Sequence, residues 1–328
     1  MKKYECYICP ADGGELSYES EFLKCRCCAT EYLIHNEVPN FLPKASTEET
    51  FSSEAFALEW TYFSLKNYKA LESRLPYDSG NREEEWGNFD LETSFIETTG
   101  LNLQDLKGKK ILEVGVGSGR LLSVALKYGA DCYGVDYSSS VYVAYDELRK
   151  LGFEDFESRC HVARGDLFHL PFRRDYFDII FSIGVLHHTP DTKKAFSCLP
   201  PFLKKGGKLA IWVYAEYNRV INANVRFWRR IFRHVPPKVF FHLCKVLGSW
   251  PVVFVYRQIK ILNLFMFLPC YTSVDYRDRV RTILDYYSPL HLNEHSYFEV
   301  YEWFKEISFG NIRPLKQPVS FVADKVEE

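Results

Sequence analysis

The stretch ILEVGVGSGR, residues 111–120, decides the fold. An apolar run containing Glu113 leads into three glycines at alternate positions, Gly115, Gly117 and Gly119. Glycine is needed where the backbone turns through positive φ or where a ligand approaches without a Cβ in the way. A helix after such a turn directs its amide dipoles at the ligand. The stretch therefore predicts a strand, a ligand-binding turn and a helix.

The glycine spacing also restricts the kind of ligand. Dinucleotide dehydrogenases use G-x-G-x-x-G, in which the third glycine admits helix–strand packing beside a pyrophosphate. In this chain the third glycine comes one residue earlier, so the spacing is G-x-G-x-G. A nicotinamide cofactor is therefore disfavoured.

Short apolar runs alternate with helical patterns after residue 108. This alternation is typical of parallel strands joined by crossover helices. A helix at 297–306 and two further apolar runs predict a closing helix and an antiparallel strand pair. The runs that predict strands are residues 110–114, 132–135, 161–163, 178–183, 208–214, 309–315 and 319–323.

Two aspartates follow consecutive predicted strands. Asp136, in CYGVDYS, ends the second strand, where its carboxylate can accept hydrogen bonds from both ribose hydroxyls. Asp166, in ARGDLFHLPF, follows the third strand, where it can accept from an adenine amino group while Leu167 packs on the ring. Isolated aspartates more often cap helices or turns. Their positions after successive strands instead favour a nucleoside ligand.

In chain order these segments resemble the successive motifs of class I methyltransferases: LEVGVGSG, VDYSSS, RGDLFHLPF, FDIIFSIGVLHHTPD and LKKGGKLAIWVY. The resemblance covers about residues 106–214, and the ending DYYSPLHLNEHSYFEVYEWFKEISFGNI looks like the last helix and strand of the small-molecule branch. It implies an α/β, Rossmann-like seven-stranded sheet, mostly parallel with the last strand antiparallel, and S-adenosylmethionine as cofactor. It also implies that Glu113 and the glycines flank the methionine portion, Asp136 the ribose, and Asp166 with Leu167 the adenine. Val116 stands where the family often has cysteine.

A cysteine cluster lies near the N-terminus. The pattern Cys6-x2-Cys9, fifteen residues, then Cys25-x2-Cys28 is the spacing expected for a tetrahedral zinc site. Four thiolates leave no position for water, so we expect a structural zinc ion, with Cys27 as an alternative to Cys28. With its tail, CATEYLIHNEVPNFLP, the segment resembles zinc-ribbon activator subunits of methyltransferases. A similar module precedes the catalytic domain of certain ribosomal RNA guanine methyltransferases.

The sequence predicts three parts: a zinc ribbon at 1–44, a helical linker or cap at 45–107, and a methyltransferase domain at 108–328 with a helical insertion at about 216–284. The composition, 47% hydrophobic and 26% charged, is ordinary for a globular protein and excludes disorder. Residues 1–10 lack the apolar run of a secretory signal, so we expect a cytoplasmic protein.

The charge distribution is uneven. Residues 45–99 carry 12 acids against 4 bases, and residues 216–262 carry 9 bases against 1 acid. Within the second segment, RFWRRIFR at 226–233 interleaves bases with aromatic residues. Such a segment suits RNA or an anionic lipid surface, and a helix docked on the protein is the alternative. We expect a lid over the acceptor and a peripheral membrane contact. The sequence does not predict the oligomeric state.

Methyl transfer needs a base only for a protonated acceptor. His188, with His187 beside it, follows the fourth predicted strand at the edge where ligands bind, and an imidazole suits general-base work near neutral pH. We expect His188 to be the base, whereas capping or packing is the structural alternative. Further candidates for the acceptor pocket are Trp60, Trp86, Tyr214, Asp285, Tyr286 and His291.

The predicted function is methyl transfer to a small-molecule, lipid or glycan-type acceptor. An RNA base is the second candidate, because the segment HHTPD lacks the Asn/Asp-Pro-Pro-aromatic motif of many nucleic-acid methyltransferases. A scaffold without catalysis is the third. The acidic residues Glu113, Asp136 and Asp166 argue against a scaffold, because each has a place in a cofactor site.

Overall fold

A computed structural model describes residues 2–43, 47–62, 91–216, 219–259, 261–262, 265, 275–307 and 309–326. At the ends of some helices it describes the backbone without the side chains, as at 47–52 and 219–221. Trp86, a candidate for the acceptor pocket, lies outside the described residues.

The described part of the chain contains a seven-stranded sheet. Its strands are β5 (Lys110–Val114), β6 (Asp131–Asp136), β7 (Cys160–Arg164), β8 (Phe177–Ile183), β9 (Leu203–Trp212), β10 (Phe309–Pro314) and β11 (Ser320–Lys325). The spatial order is β10-β11-β9-β8-β5-β6-β7. Strands β5 to β9 pair in parallel, and β11 is antiparallel to both neighbours. This arrangement confirms the predicted Rossmann-like α/β fold with its last strand antiparallel.

Strand β5 shows why the sheet is buried on both faces. Side chains alternate between faces along a strand. Leu112 and Val114 join one apolar cluster, and Ile111 joins the cluster on the other face. Helices therefore cover both faces of the sheet, as expected for parallel strands. The described helices that follow or precede these strands are Leu91–Thr99, Arg120–Lys127, Ser140–Lys150, Phe156–Arg159, Thr192–Ser197 and Tyr297–Glu306.

The N-terminal segment folds as a four-stranded antiparallel ribbon: β1 (Leu16–Glu19), β2 (Phe22–Cys25), β3 (Glu31–His35) and β4 (Val38–Pro39). This ribbon packs on one face of the large sheet. Tyr7 and Tyr32 belong to the same buried cluster as Leu112, and the Tyr7 ring lies 5.4 Å from that of Phe172. Backbone bridges also join Tyr7 to Phe172 and Asn40 to Arg164. The ribbon therefore shares its core with the sheet.

The predicted insertion is helical, with helices Arg219–Phe232, Pro237–Leu247, Trp250–Gln258 and Tyr276–Tyr287. These helices have a small apolar core of their own, which includes Phe240, Val280 and Tyr287. The helix Thr47–Tyr62 packs against them, with the Tyr62 ring 5.1 Å from that of Phe241. In the described ranges no single helix has the length and hydropathy to cross a membrane, although the bent pair Pro237–Leu247 and Trp250–Gln258 meets those criteria jointly.

Candidate functional site

The glycine turn after β5 forms the floor of the site. Gly115 has φ +86°, and a Cβ there would lie 2.2 Å from a methyl carbon of Val185. Gly117 has φ +55°, and a Cβ there would lie 3.0 Å from the Trp60 ring. Residues other than glycine rarely adopt these backbone angles. The turn therefore requires glycine both for its conformation and for its close contacts.

Asp136 lies across this turn at the end of β6. Its Oδ2 accepts a hydrogen bond from the Gly117 amide at 2.8 Å, and its Oδ1 accepts from the Ser138 amide at 2.8 Å and the Ser138 hydroxyl at 2.7 Å. Burial raises the pKa of Asp136, and these donors oppose the rise. A carboxylate has about four acceptor positions, so three donors leave about one for a ligand.

Glu113 has a buried carboxyl group, one oxygen of which is available to a ligand. It is 4% exposed, and its Oε2 has no hydrogen-bond partner within the described ranges. Burial raises the pKa of Glu113 well above its ordinary value, and the nearby charge of Asp136 adds to this effect. Such an atom is costly unless a partner satisfies it. An ammonium group from a ligand would supply that partner.

Asp166 and Leu167 follow β7, as predicted. The Asp166 carboxylate accepts from the Phe168 amide at 3.0 Å and lies 3.0 Å from Nδ1 of His169. Asp166 therefore caps a short 3-10 helix, which is the structural alternative considered for isolated aspartates. Leu167 is buried beside it and faces the same cavity.

One cavity of about 300 Å³ connects these groups, a volume at the lower limit for small-molecule sites. The helix Thr47–Tyr62 covers it with Ser53, Phe56 and Trp60. Only Trp60 is among the predicted pocket residues, although the spacing of 3 and 7 residues places all three on one helix face. Gly119 does not line the cavity. The predicted residues that do line it are Trp60, Glu113, Gly115, Gly117, Asp136, Asp166, Leu167, His188, Asp285 and His291.

His188 lies in this cavity between two acceptor oxygens. Its Nδ1 is 3.2 Å from the His291 carbonyl oxygen, and its Nε2 is 3.3 Å from Oδ1 of Asp285. The second contact has an ion-pair distance without the alignment of a hydrogen bond. Both side chains are less than 10% exposed. The structure thus joins two predicted residues that are 97 positions apart in sequence.

Asp285 also accepts a hydrogen bond from the Tyr214 hydroxyl, through its other oxygen. Burial alone would raise the pKa of Asp285, but contacts with His188 and Tyr214 and the charge of Arg281 hold it below its ordinary value. Asp285 is therefore a carboxylate near neutral pH.

His187 has a different environment from His188. It is fully buried, and its ring stacks on Tyr214 with centroids 3.9 Å apart. Its Nδ1 accepts from the Tyr214 amide at 3.3 Å, and burial lowers its pKa well below the ordinary value. His187 does not line the cavity, nor do Tyr214 and Tyr286, which stack on each other behind it. These three residues pack against one another outside the cavity lining.

A second group of ligating atoms lies in the ribbon. Atoms of Cys9, Asp12, Cys25 and Cys28 all lie within 4.8 Å of one another. The Cys9 and Cys28 sulfurs are 3.7 Å apart, and the Cys25 sulfur is 3.4 Å from an Asp12 oxygen. Tetrahedral zinc with Zn–S bonds of about 2.3 Å requires S···S distances of about 3.8 Å. This group therefore fits a zinc ion.

The group differs from the predicted ligand set at one position, because it contains Asp12 and not Cys6. Ile8 and Glu15 pair in a hairpin whose turn carries Cys9 and Asp12. Cys6 precedes this hairpin, and its buried sulfur is 3.9 Å from the Lys3 carbonyl oxygen. The signal was available in the sequence, since Asp12 follows Cys9 at the same x2 spacing that separates Cys25 from Cys28. Cys27 is exposed and outside the group.

Comparison with known proteins agrees with this geometry. Residues 112–211 match a protein family described as a methyltransferase domain. Phosphoethanolamine N-methyltransferase 2 of Caenorhabditis elegans is 33% identical over 40% of this chain and 29% of its own length. The tRNA U34 carboxymethyltransferase of Idiomarina loihiensis is 29% identical over 38% of this chain and 42% of its own length.

The chain therefore spans less than half the length of these curated relatives. Among solved structures, phosphoethanolamine N-methyltransferase 2 of Haemonchus contortus in complex with S-adenosyl-L-methionine aligns over 84% of this chain and 47% of its own. The two share 18% sequence identity with a TM-score of 0.41.

Proposed function

We propose that this chain transfers a methyl group from S-adenosylmethionine to a small-molecule acceptor of lipid or glycan type. The observation that carries the proposal is the single cavity shared by the glycine turn, Asp136 and Asp166 on one side and by His188 and Asp285 on the other. A site that joins nucleoside-binding carboxylates to a buried acid–base pair suits group transfer from a nucleoside cofactor.

The residues present fit this cofactor. Glu113 offers a buried, unpartnered oxygen to its ammonium group, and Asp136 retains an acceptor position for a ribose hydroxyl. When bound, S-adenosylmethionine supplies a methyl group on a positively charged sulfur. The chain must align the acceptor with that carbon and exclude water. Phe56 and Trp60 cover the cavity and would exclude water from it.

His188 and Asp285 would handle the acceptor's proton. With the cofactor bound, the acceptor's oxygen or nitrogen would take the methyl group from the sulfur and would lose its proton. We propose that the His188–Asp285 pair receives this proton, since the two groups lie 3.3 Å apart and line the cavity together.

We expect His188→Ala to lower kcat by about 100-fold or more, the usual contribution of a positioned acid–base group. The assay measures transfer of a labelled methyl group from S-adenosylmethionine to acceptors in fractionated cell extract, with phosphoethanolamine as one defined acceptor. Affinity for S-adenosylhomocysteine should stay within about threefold of wild type, because His188 receives a proton and does not hold the cofactor.

Asp285→Asn and the double variant complete this test. If the two residues act as a unit, the double variant loses no more activity than either single variant. Unchanged turnover in His188→Ala would contradict the proposed role of His188 in proton transfer. Methylation confined to RNA, and lost after ribonuclease treatment, would favour the RNA alternative, which the matched tRNA-modifying relative keeps open.

We also propose that Cys9, Asp12, Cys25 and Cys28 bind one structural zinc ion. The support is their close grouping on two turns of the ribbon. Four protein ligands complete a tetrahedron and leave no position for water, so the ion contributes to folding and not to catalysis. Zinc-ribbon activator subunits, which the segment resembles, suggest a similar stabilising role within this chain.

A third proposal concerns localisation: the insertion docks on an anionic membrane surface. Its helices expose large apolar side chains, and bases lie among them, as at Arg226, Arg230 and Arg257. Basic helices with exposed aromatic and aliphatic residues bind anionic lipid interfaces. The most exposed apolar side chains of these helices are Phe227, Val239, Val246, Trp250 and Phe254.

We expect the variant Phe227→Glu with Phe254→Glu to reduce sedimentation with phosphatidylserine-containing vesicles at least about fivefold, because each change puts an acid where lipid would lie. Phe298→Glu is the matched control, since Phe298 is 71% exposed on a helix outside the insertion. Equal sedimentation with pure phosphatidylcholine vesicles, or tighter binding to RNA than to anionic vesicles, would contradict the docking proposal.

A further inference from the structure

A second cavity, of about 570 Å³, adjoins the first. It is formed by residues 190–193, Glu216, the helix Arg219–Phe232 and residues 292–303. Pro190 lines both cavities. A molecule with its reactive atom at the first cavity therefore has room to extend into the second. The volume is within the range of small-molecule sites, about 300–1,000 Å³.

Two lining residues of the second cavity carry buried polar atoms that lack partners. Asn222 is 3% exposed, and its Oδ1 has no hydrogen-bond partner in the described part of the chain. The same holds for Nε2 of His295. Buried polar atoms in native proteins are almost always satisfied by the chain, by ordered water or by a ligand, so both atoms can accept a hydrogen bond from a molecule in this cavity.

The chemistry of both atoms is that of acceptors. Nδ1 of His295 lies 3.1 Å from a carboxylate oxygen of Glu299. A carboxylate only accepts, so Nδ1 carries the hydrogen, and in the neutral ring Nε2 is left as an acceptor. The Asn222 amide oxygen accepts as well. The missing partners are therefore O–H or N–H groups.

The charged residues around this cavity do not favour an anion. Lys193 pairs with Glu306 at 2.6 Å, and Arg229 donates to the carbonyl oxygens of Tyr286 and Pro289. Of the lining bases this leaves Arg226, which lies in the field of Glu294. Lining carboxylates outnumber lining bases by four to three: Asp191, Glu216, Glu294 and Glu299 against Lys193, Arg226 and Arg229.

We propose that the second cavity binds a neutral, hydroxyl-rich part of the methyl acceptor, a glycan-type group whose hydroxyls donate to Asn222 and His295. The inference rests on the proposed function for the link to methyl transfer, and on the cavity itself for binding. It narrows the acceptor to molecules that carry a polyol beside the methylated atom. Carboxylates and amide oxygens suit such a ligand because each hydroxyl brings a donor.

Saturation-transfer NMR tests the proposal on the full chain. The probes are the methyl glycosides of glucose, galactose, mannose and N-acetylglucosamine, with inorganic phosphate and ethanolamine as the anionic and cationic comparisons. We expect at least one glycoside to bind at millimolar concentration and neither comparison probe to displace it. Asn222→Leu should weaken that binding about tenfold, and Asn224→Leu, on the same helix outside the cavity lining, should not.

Three results would overturn the inference: no glycoside binds, phosphate or ethanolamine displaces the glycoside, or the two leucine variants weaken binding equally. Affinity for S-adenosylhomocysteine, measured on the same samples, separates this inference from the proposed function. Glycoside binding without cofactor binding would refute the methyltransferase and keep the cavity assignment. Cofactor binding without glycoside binding would refute the cavity assignment and keep the proposed methyltransferase function.

Discussion

Asp136→Ala is expected to weaken binding of S-adenosylhomocysteine about 100-fold or more, as measured by calorimetric titration of the zinc-loaded protein. Hydrogen bonds to a charged group contribute about 1.5–3 kcal/mol each, and 1.4 kcal/mol corresponds to a factor of ten. The variant loses the ligand's bonds to the carboxylate. It also loses the bonds from Gly117 and Ser138 that hold the turn in place.

Asp131→Ala is the matched control for this result. Asp131 begins the same strand that Asp136 ends, and it does not line the cavity. We expect the affinity of Asp131→Ala for S-adenosylhomocysteine to equal that of wild type. The substitution removes the same carboxylate group, but at the opposite end of the strand. A folded Asp136→Ala protein that binds S-adenosylhomocysteine as tightly as wild type would refute the assigned cofactor site.

The cofactor half of the site could be predicted because its signals are local. The glycine turn needs positive φ within a few residues, and Asp136 and Asp166 follow strands whose apolar runs are readable in the sequence. Parallel pairing then brings the ends of those strands together at one edge of the sheet. The glycine turn, Asp136 and Asp166 therefore meet at one cavity, and their role in cofactor binding stays a prediction.

The acceptor half depends on contacts between distant parts of the chain. The approach of His188 to Asp285 follows from how the insertion helix Tyr276–Tyr287 docks beyond β8, and no local pattern encodes that distance. The two neighbouring histidines differ only in burial and in the partners of their rings. Ser53 and Phe56 were missed for a similar reason, because tertiary packing brings their helix over the turn.

The candidate metal ligands in the structure differ from the predicted set in residue type. Four cysteines in two x2 pairs form a regular zinc-binding pattern. Asp12 follows Cys9 at the same x2 spacing, but a pattern of cysteines alone does not include it. Zinc accepts carboxylate oxygen as well as thiolate, so spacing alone does not separate Asp12 from Cys6 as a candidate ligand. The turn between Ile8 and Glu15 contains Cys9 and Asp12 and leaves Cys6 in the shared core.

Cys25→Ala is expected to remove zinc from the purified protein and to lower its Tm by at least about 10 °C. Zinc contributes about 10–16 kcal/mol to the folding of zinc-finger peptides, and 1 kcal/mol corresponds to roughly 2–4 °C in a domain of this size class. The effect should reach the whole protein because Tyr7, Tyr32 and Phe41 of the ribbon are buried in the core of the large sheet. Metal content by mass spectrometry and calorimetric Tm measure the two effects.

A pair of variants separates the structure's ligand set from the four-cysteine set. Asp12→Ala should weaken zinc binding at least about 100-fold, more than the loss of an outer-shell partner would, whereas Cys6→Ala should keep full zinc content. Asp12→Cys should retain the ion, since it restores a fourth ligand of a type that zinc prefers. If Cys6→Ala loses zinc and Asp12→Ala keeps it, the hairpin turn does not set the ligands. The ribbon would then have to reposition Cys6 from the shared core to bind metal, at the cost of the packing that joins it to the sheet.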